Sequence, residues 1–305
     1  MDYNSVNAAL RQQFGRKIVK LSLDGGFSCP NREGGRPGCL FCGEAGSGEF
    51  AGNRQEPIPT QLARQKALLA KKWPGAGYIA YFQAFTNTYA PAAVLEERYR
   101  QALSDPEVVG LAIATRPDCL PPPVLDVLEQ LNRETFLWVE LGFQTATEEI
   151  AAAMGRGYPN PVFAQAVQAL AARGVRTVAH VIVDLPGETE AGALATIDTV
   201  NALPLWGVKL HFLYVTEGTP LAQSFQQGGF SLPSREETLR RILRCTARLR
   251  PDLTVHRLTG DGPRDTLLAP LWSRDKRRVL NDLTRLFRET GLFQGCDYRP
   301  PAPPL

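Results

Sequence analysis

Short apolar runs recur along the chain, and polar, helix-compatible stretches separate them. Residues 18–23 (Ile-Val-Lys-Leu-Ser-Leu) alternate apolar and polar positions, as a strand with one covered face does. Residues 78–83, 108–114, 136–142, 177–183 and 207–213 are denser apolar runs and predict further strands. Between them, residues 60–72, 92–103, 122–132, 146–153, 161–173 and 189–201 predict helices, the first capped by Thr60. Residues 1–16 predict a short leading helix. Strand–helix alternation implies right-handed crossovers and a parallel sheet. Six such units predict an α/β fold, an open, partial (β/α)6 TIM-like barrel.

The pattern changes after Gly228-Gly229. Ser234-Arg-Glu-Glu237 is a helix start with a capping carboxylate. From Arg235 to Glu289 there are 14 Lys/Arg against 8 Asp/Glu, a local excess of +6 in a chain whose net charge is only +3. Arg240, Arg241, Arg244 and Arg248 recur at helical spacing, and Arg274, Lys276, Arg277, Arg278, Arg285 and Arg288 repeat the pattern. Such stripes either neutralise phosphates or are solvated helix faces. The chain therefore divides into a barrel domain, residues 1–228, and a helical, basic C-terminal extension, residues 229–305. The tail from Arg299 is too proline-rich to pack. With 44% hydrophobic and 21% charged residues the composition is that of an ordinary globular protein. No apolar run approaches a membrane span and no signal peptide is evident, so the expected location is the cytoplasm.

Chemistry concentrates in Cys29-Pro-Asn-Arg-Glu-Gly-Gly-Arg-Pro-Gly-Cys39-Leu-Phe-Cys42, which holds three of the six cysteines. Glycine and proline fill the gaps, so the loop can fold its thiols onto one point. Converging thiolates suggest a metal or an iron–sulfur cluster. A structural zinc site would need a fourth Cys or His, and none lies nearby in sequence. Cys119, Cys245 and Cys296 have no motif spacing. In a barrel of this kind functional groups follow the strand ends. The sequence places Gln83 and Tyr89 after the second strand and Arg116 and Asp118 after the third. Glu140 and Gln144 end the fourth, and Lys209 and His211 lie on the sixth. Arg116 either forks a ligand carboxylate or bridges to Asp118. A polar loop, Arg257-Leu-Thr-Gly-Asp261-Gly-Pro-Arg264, is dense enough to reach a substrate.

The cysteine loop resembles that of the radical S-adenosylmethionine (radical SAM) superfamily. Its nine-then-two spacing is similar to that of the catalytic subunit of Elongator. The resemblance implies that Cys29, Cys39 and Cys42 hold three irons of a 4Fe–4S cluster whose fourth iron is chelated by S-adenosylmethionine. Reductive cleavage would then give methionine and a 5′-deoxyadenosyl radical, with a flavodoxin- or ferredoxin-like protein as electron donor. By the same resemblance Phe41 packs near the adenine, Glu140 and Gln144 of Glu-Leu-Gly-Phe-Gln-Thr lie at the cofactor, and Arg156 meets its carboxylate. The competing reading of Glu140 is a barrel-holding pair with a neighbouring arginine; that of Arg156 is a cap. The Gly-Gly-Glu that many members carry after the second strand is replaced by Gln83-Ala-Phe, so Gln83 or backbone carbonyls would receive the cofactor's amino group.

Leu23-Asp-Gly-Gly-Phe-Ser-Cys-Pro-Asn-Arg, Tyr81-Phe-Gln-Ala-Phe-Thr-Asn-Thr-Tyr89 and His256-Arg-Leu-Thr-Gly-Asp are similar to the YtqA/YhcC family of radical SAM proteins. That resemblance implies action on the wobble uridine of tRNA, converting a carboxymethylaminomethyl group to aminomethyl, with the basic extension holding the RNA. Tyr89, Arg116, Lys209, His211 and Asp261 are the substrate candidates. Rival expectations are a small-molecule or porphyrin-like substrate, and a zinc-stabilised RNA-binding protein without catalysis.

Overall fold

A computed structural model describes residues 2–300. In chain order the elements are α1 (Val6–Phe14), β1 (Ile18–Leu23), α2 (Ile58–Ala70), β2 (Gly77–Phe82), α3 (Ala92–Leu103), β3 (Val108–Thr115), α4 (Pro122–Glu134), β4 (Phe136–Gln144), α5 (Glu148–Ala153) and α6 (Asn160–Ala171). They continue with β5 (Arg176–Val183), α7 (Glu190–Ala202), β6 (Gly207–Phe212), β7 (Val215–Thr216), α8 (Pro220–Gln226), α9 (Arg235–Arg248), β8 (Thr254–Arg257), β9 (Leu267–Ala269) and α10 (Lys276–Thr290). One seven-stranded sheet has the order β1-β2-β3-β4-β5-β6-β8, every pair parallel. The six expected strands are all present. The seventh, β8, comes from the C-terminal extension and docks beside β6. Strands β7 and β9 form a small antiparallel ribbon.

Strands covered on both faces read as near-continuous apolar runs, and β2 is buried at every position. On the outer face Leu21, Ala80, Phe82, Leu111, Ile113, Val139, Leu141 and Val181 pack under the helices, which contribute Leu95, Tyr99, Leu128, Phe163 and Ile197. The inner face is layered. Its lowest layer is Ile18, Ile79, Trp138 and Val178, plugged by Val6 and Leu10 of α1. Two residues further along each strand the inward positions become Lys20, Tyr81, Glu140 and His180, with Lys209 alongside from β6. This strand periodicity carries the polar side chains to the upper half of the curl, at the carboxyl ends of the strands.

Two expectations are corrected. Thr60 lies inside α2 and does not cap it, because the helix starts at Ile58 behind Pro57; proline suits these opening positions. The arginine stripe of α9 is not an open phosphate-binding face: Arg240 pairs with Glu236, Arg241 with Asp184, Arg244 with Glu190 and Arg248 with Asp198. Three of these four pairs tie α9 to α7 and to the turn after β5. The helix start at Ser234 is a true capping box, with Ser234 N donating to Glu237 Oε2 at 2.8 Å. Most of the proline-rich tail falls outside the described residues. No helix among the described residues is long and apolar enough to cross a membrane.

Candidate active site

The strand ends and the cysteine loop enclose a cavity of about 190 Å³. Its floor is organised by Glu140, only 1% exposed. Oε1 accepts from Trp138 Nε1 at 2.9 Å and Lys20 Nζ at 3.3 Å. Oε2 accepts from His180 Nε2 at 2.6 Å, Tyr81 OH at 2.9 Å and Lys209 Nζ at 3.1 Å. Side chains from β1, β2, β4, β5 and β6 meet at one carboxylate, which only a strongly curled sheet permits. Burial alone would raise the Glu140 pKa, but the ammonium groups of Lys20 and Lys209 and the bond from His180 hold it well below the usual carboxylate range. Burial pulls Lys209 down to about 8 against the opposing pull of Glu140. Burial, reinforced by the Lys209 charge, lowers His180 to about 4, so it is neutral at pH 7. Glu140 lines the cavity, as a residue at the cofactor would, and it also ties the strands together as the competing reading had it, through lysines instead of an arginine.

Cys29, Cys39 and Cys42 all line this cavity. Cys29 leads into 3-10 turns over Pro30–Gly35 that kink at Glu33 and Gly34, and Gly34, Gly35 and Gly38 turn the chain with positive φ of 62°, 78° and 85°. Arg32 braces the loop from inside, donating to the carbonyls of Cys42 (3.1 Å) and Gly43. Leu40 N donates to Met154 O at 3.0 Å and Asn31 Nδ2 to Gly155 O at 2.6 Å, which pins the loop to the turn after α5. At Gly155 a side chain would press on the backbone of Gly38 at 3.3 Å. Asn31 Nδ2 also lies 3.5 Å from Cys39 Sγ, and Ser47 Oγ lies 3.5 Å from Cys42 Sγ. A hydrogen bond with Cys39, together with Ser47 and Arg32, draws the Cys42 thiol down to about 7 despite burial, while Cys39 is pushed up. Among the described residues no three His, Cys, Asp or Glu side chains gather closely enough to hold one metal ion. The donor set, three thiols on a glycine-rich loop around one recess, fits a polynuclear cluster in which each thiolate takes its own iron.

Phe41 lines the cavity and packs against the cluster of Met154, Ile182 and Leu213. Gln83 lines it too, its amide donating to Ser47 O at 2.8 Å. Gln144 reaches the cavity from the end of β4 with φ of +63°, its Oε1 3.4 Å from Tyr158 OH. Ser47 and Phe85, also lining, share this left-handed backbone. Such strain clusters at functional sites. Lys209 and His211 line the cavity as well.

Other expected residues play different parts. The Arg156 guanidinium is taken up by the carbonyls of Phe143, Thr145 and Tyr158, by Asn160 Oδ1 and by Glu148, so it buttresses the turn after β4 instead of presenting a free fork. Arg116 forks its own neighbour Asp118 at 2.9 and 2.8 Å and donates to Arg156 O at 3.0 Å. Tyr89 is not brought to the cavity; it sits in a separate groove with Pro30, Pro91, Pro117 and Cys119. Asp261 also stays off the cavity lining and pairs with Arg257, which lines it, and with Lys276. Sequence reasoning missed Lys20, Tyr81 and Tyr158, while Arg257 of the polar loop does reach the cavity. Inward alternation counted from Glu140 would have marked Tyr81 and Lys20.

Residues 27–200 match the Radical SAM superfamily and residues 205–289 match the Radical SAM C-terminal domain. The chain is 41% identical over 295 residues to YtqA of Bacillus subtilis (strain 168), covering 96% of this chain and 92% of that one. It is 37% identical over 307 residues to YhcC of Escherichia coli (strain K12), covering 99% and 97%. Among solved structures, archaeal Methanocaldococcus infernus Elp3 superposes with a TM-score of 0.69 at 17% identity, covering 91% of this chain and 64% of that chain. The chain is a radical SAM superfamily enzyme, and within that superfamily it belongs to the family of YtqA and YhcC.

Proposed function

We propose that Cys29, Cys39 and Cys42 hold a 4Fe–4S cluster, that S-adenosylmethionine binds in the cavity beside it, and that the substrate is a tRNA wobble uridine whose carboxymethylaminomethyl group becomes aminomethyl. The observation that carries the reading is the three thiols of one loop facing a polar-floored cavity at the carboxyl ends of seven parallel strands. When bound, the cluster and S-adenosylmethionine supply one-electron chemistry that opens unactivated C–H bonds. The chain supplies position and shelter. Phe41, Gln83 and Gln144 face the space for the cofactor, Arg32 and Arg156 fix the loops, and the Glu140 floor keeps the strand ends in register.

The uridine substrate is supported by the motif resemblance to the YtqA/YhcC and Elongator proteins and by the surface of α10. Arg277 and Arg278 are exposed and have no acidic partner among the described residues, unlike the arginines of α9. Neighbouring Lys276 connects this patch through Asp261 to Arg257 in the cavity wall. The electron donor fitting this chemistry is a flavodoxin- or ferredoxin-like protein.

The test is anaerobic incubation with S-adenosylmethionine, dithionite and tRNA, followed by nucleoside mass spectrometry. The expected result is loss of carboxymethylaminomethyluridine with a matching gain of aminomethyluridine. Formation of 5′-deoxyadenosine with an unchanged nucleoside profile at low salt would overturn the substrate assignment.

A further inference from the structure

Five cationic side chains line the cavity (Arg32, Arg116, Arg156, Lys209 and Arg257) against one carboxylate, Glu140. Two are neutralised one to one outside it, Arg116 by Asp118 and Arg156 by Glu148, and Arg32 lies beside the cysteine loop. The β6–β8 wall is different. Glu140 serves both Lys20 and Lys209, and Asp261 serves both Arg257 and Lys276. Each carboxylate leaves one positive charge over, and among the described residues the cavity lining offers no second acid to take it.

The available donors narrow the place. Lys209 already points its ammonium at Tyr81 OH (3.1 Å) and Glu140 (3.1 Å). Arg257, opposite Lys209 in the β6–β8 register, gives part of its fork to Asp261 and has no other acceptor among the described residues. His211, two residues beyond Lys209 on the same face of β6, has no side-chain partner there either, yet it lines the cavity. Burial, with the charges of Arg257, His180 and Lys209, keeps its imidazole neutral against a backbone hydrogen bond at Phe212, so it adds no charge of its own to the wall.

We infer that Arg257 and His211 form a carboxylate-binding subsite in the wall of this cavity. The guanidinium edge that Asp261 leaves free suits a planar two-oxygen acceptor, with the neutral His211 ring beside it. The single charge left over at Arg257, Lys276 and Asp261 matches a monoanion, and the apolar lining of the same cavity, Leu213 and Ile182 (opposite His211 in the β5–β6 register), suits the short carbon stem of a carboxylic acid better than a phosphate dianion. Asp261 is a positioning residue that holds Arg257 at the wall. The subsite gives the substrate class, a molecule with a carboxylate close to the reacting carbon. It rests on the reading of this cavity as the substrate chamber.

The probe is acetate, titrated against sodium chloride of equal ionic strength into cluster-loaded, oxidised protein while the three histidine imidazoles are followed by NMR. Only the His211 resonances should move saturably, with binding at least tenfold weaker in Arg257→Gln and partly retained in Arg257→Lys. No saturable His211 shift in the wild type, or equal binding by Arg257→Gln, would overturn the subsite. A second assay compares tRNA bearing carboxymethylaminomethyluridine with the same tRNA converted to the carboxamide. The subsite predicts a KM at least tenfold higher for the amide in wild type and the same KM for both in Arg257→Gln. Acetate binding as expected without turnover of either tRNA would sink the tRNA reading while the subsite stands; turnover of acid and amide with equal KM would do the reverse.

Discussion

Replacing Glu140 with Gln removes one charge and one acceptor oxygen from a site where five donors converge. A carboxamide accepts through one oxygen, and its NH2 group would point at donors. Lys209 then stays buried without its counter-ion, and removing one partner of a buried ion pair costs about 3–5 kcal/mol. With an unfolding entropy of about 2.1 cal/mol/K per residue over 305 residues, that corresponds to a melting temperature lower by about 5–8 °C. The wild-type advantage depends on pH with a definite sign. The folded pKa of Glu140 lies well below its ordinary value of 4.5, so the stabilisation is fully present above that value and fades as pH falls through the folded pKa. Matched thermal scans of both proteins from pH 7 to pH 3 should show the gap widest at neutral pH and closing in acid. A Gln variant melting within 2 °C of wild type at pH 7, or a gap that widens in acid, would refute the argument that a buried charge holds the floor.

Asn31→Leu, which removes the amide 3.5 Å from Cys39 Sγ, should make the cluster harder to reduce, since hydrogen bonds to the sulfurs favour the more negative reduced state. One bond of ordinary strength corresponds to a shift of about 20–60 mV, read by a redox titration followed by EPR; an unchanged potential with a full cluster would count against that bond. Reversing charge in Arg277→Glu/Arg278→Glu should weaken tRNA binding and flatten its dependence on log salt by about 1.8, the contribution of two phosphate contacts. Arg240→Gln, on a helix whose arginines are ion-paired, should leave that slope unchanged; equal loss in both variants would remove α10 as the RNA face.

The order of strands and helices could be read from the chain because parallel strands buried on both faces leave dense apolar runs, with polar, helix-compatible stretches between them. The four residues of β8 could not, because so short a strand inside a polar loop has no periodicity of its own and owes its place to pairing with β6. The cysteine loop was legible as a unit, since its ligand set is local. Roles that depend on distant partners were not. The α9 arginines look like a phosphate-binding stripe until Asp184, Glu190 and Asp198 are found opposite them. Arg156 looks like a free carboxylate fork until the carbonyls of its own turn claim it. Tyr89 follows β2 in sequence, as Gln83 does, but the chain carries its ring into the neighbouring groove.

The most direct test of the central claim is to reconstitute wild type and Cys39→Ala anaerobically, then measure iron and the 5′-deoxyadenosine formed from S-adenosylmethionine with dithionite. The account predicts about four irons per wild-type chain, with 5′-deoxyadenosine formed by wild type and abolished in the variant. Wild type that is fully loaded with iron yet forms no 5′-deoxyadenosine, or a variant as active as wild type, would contradict it.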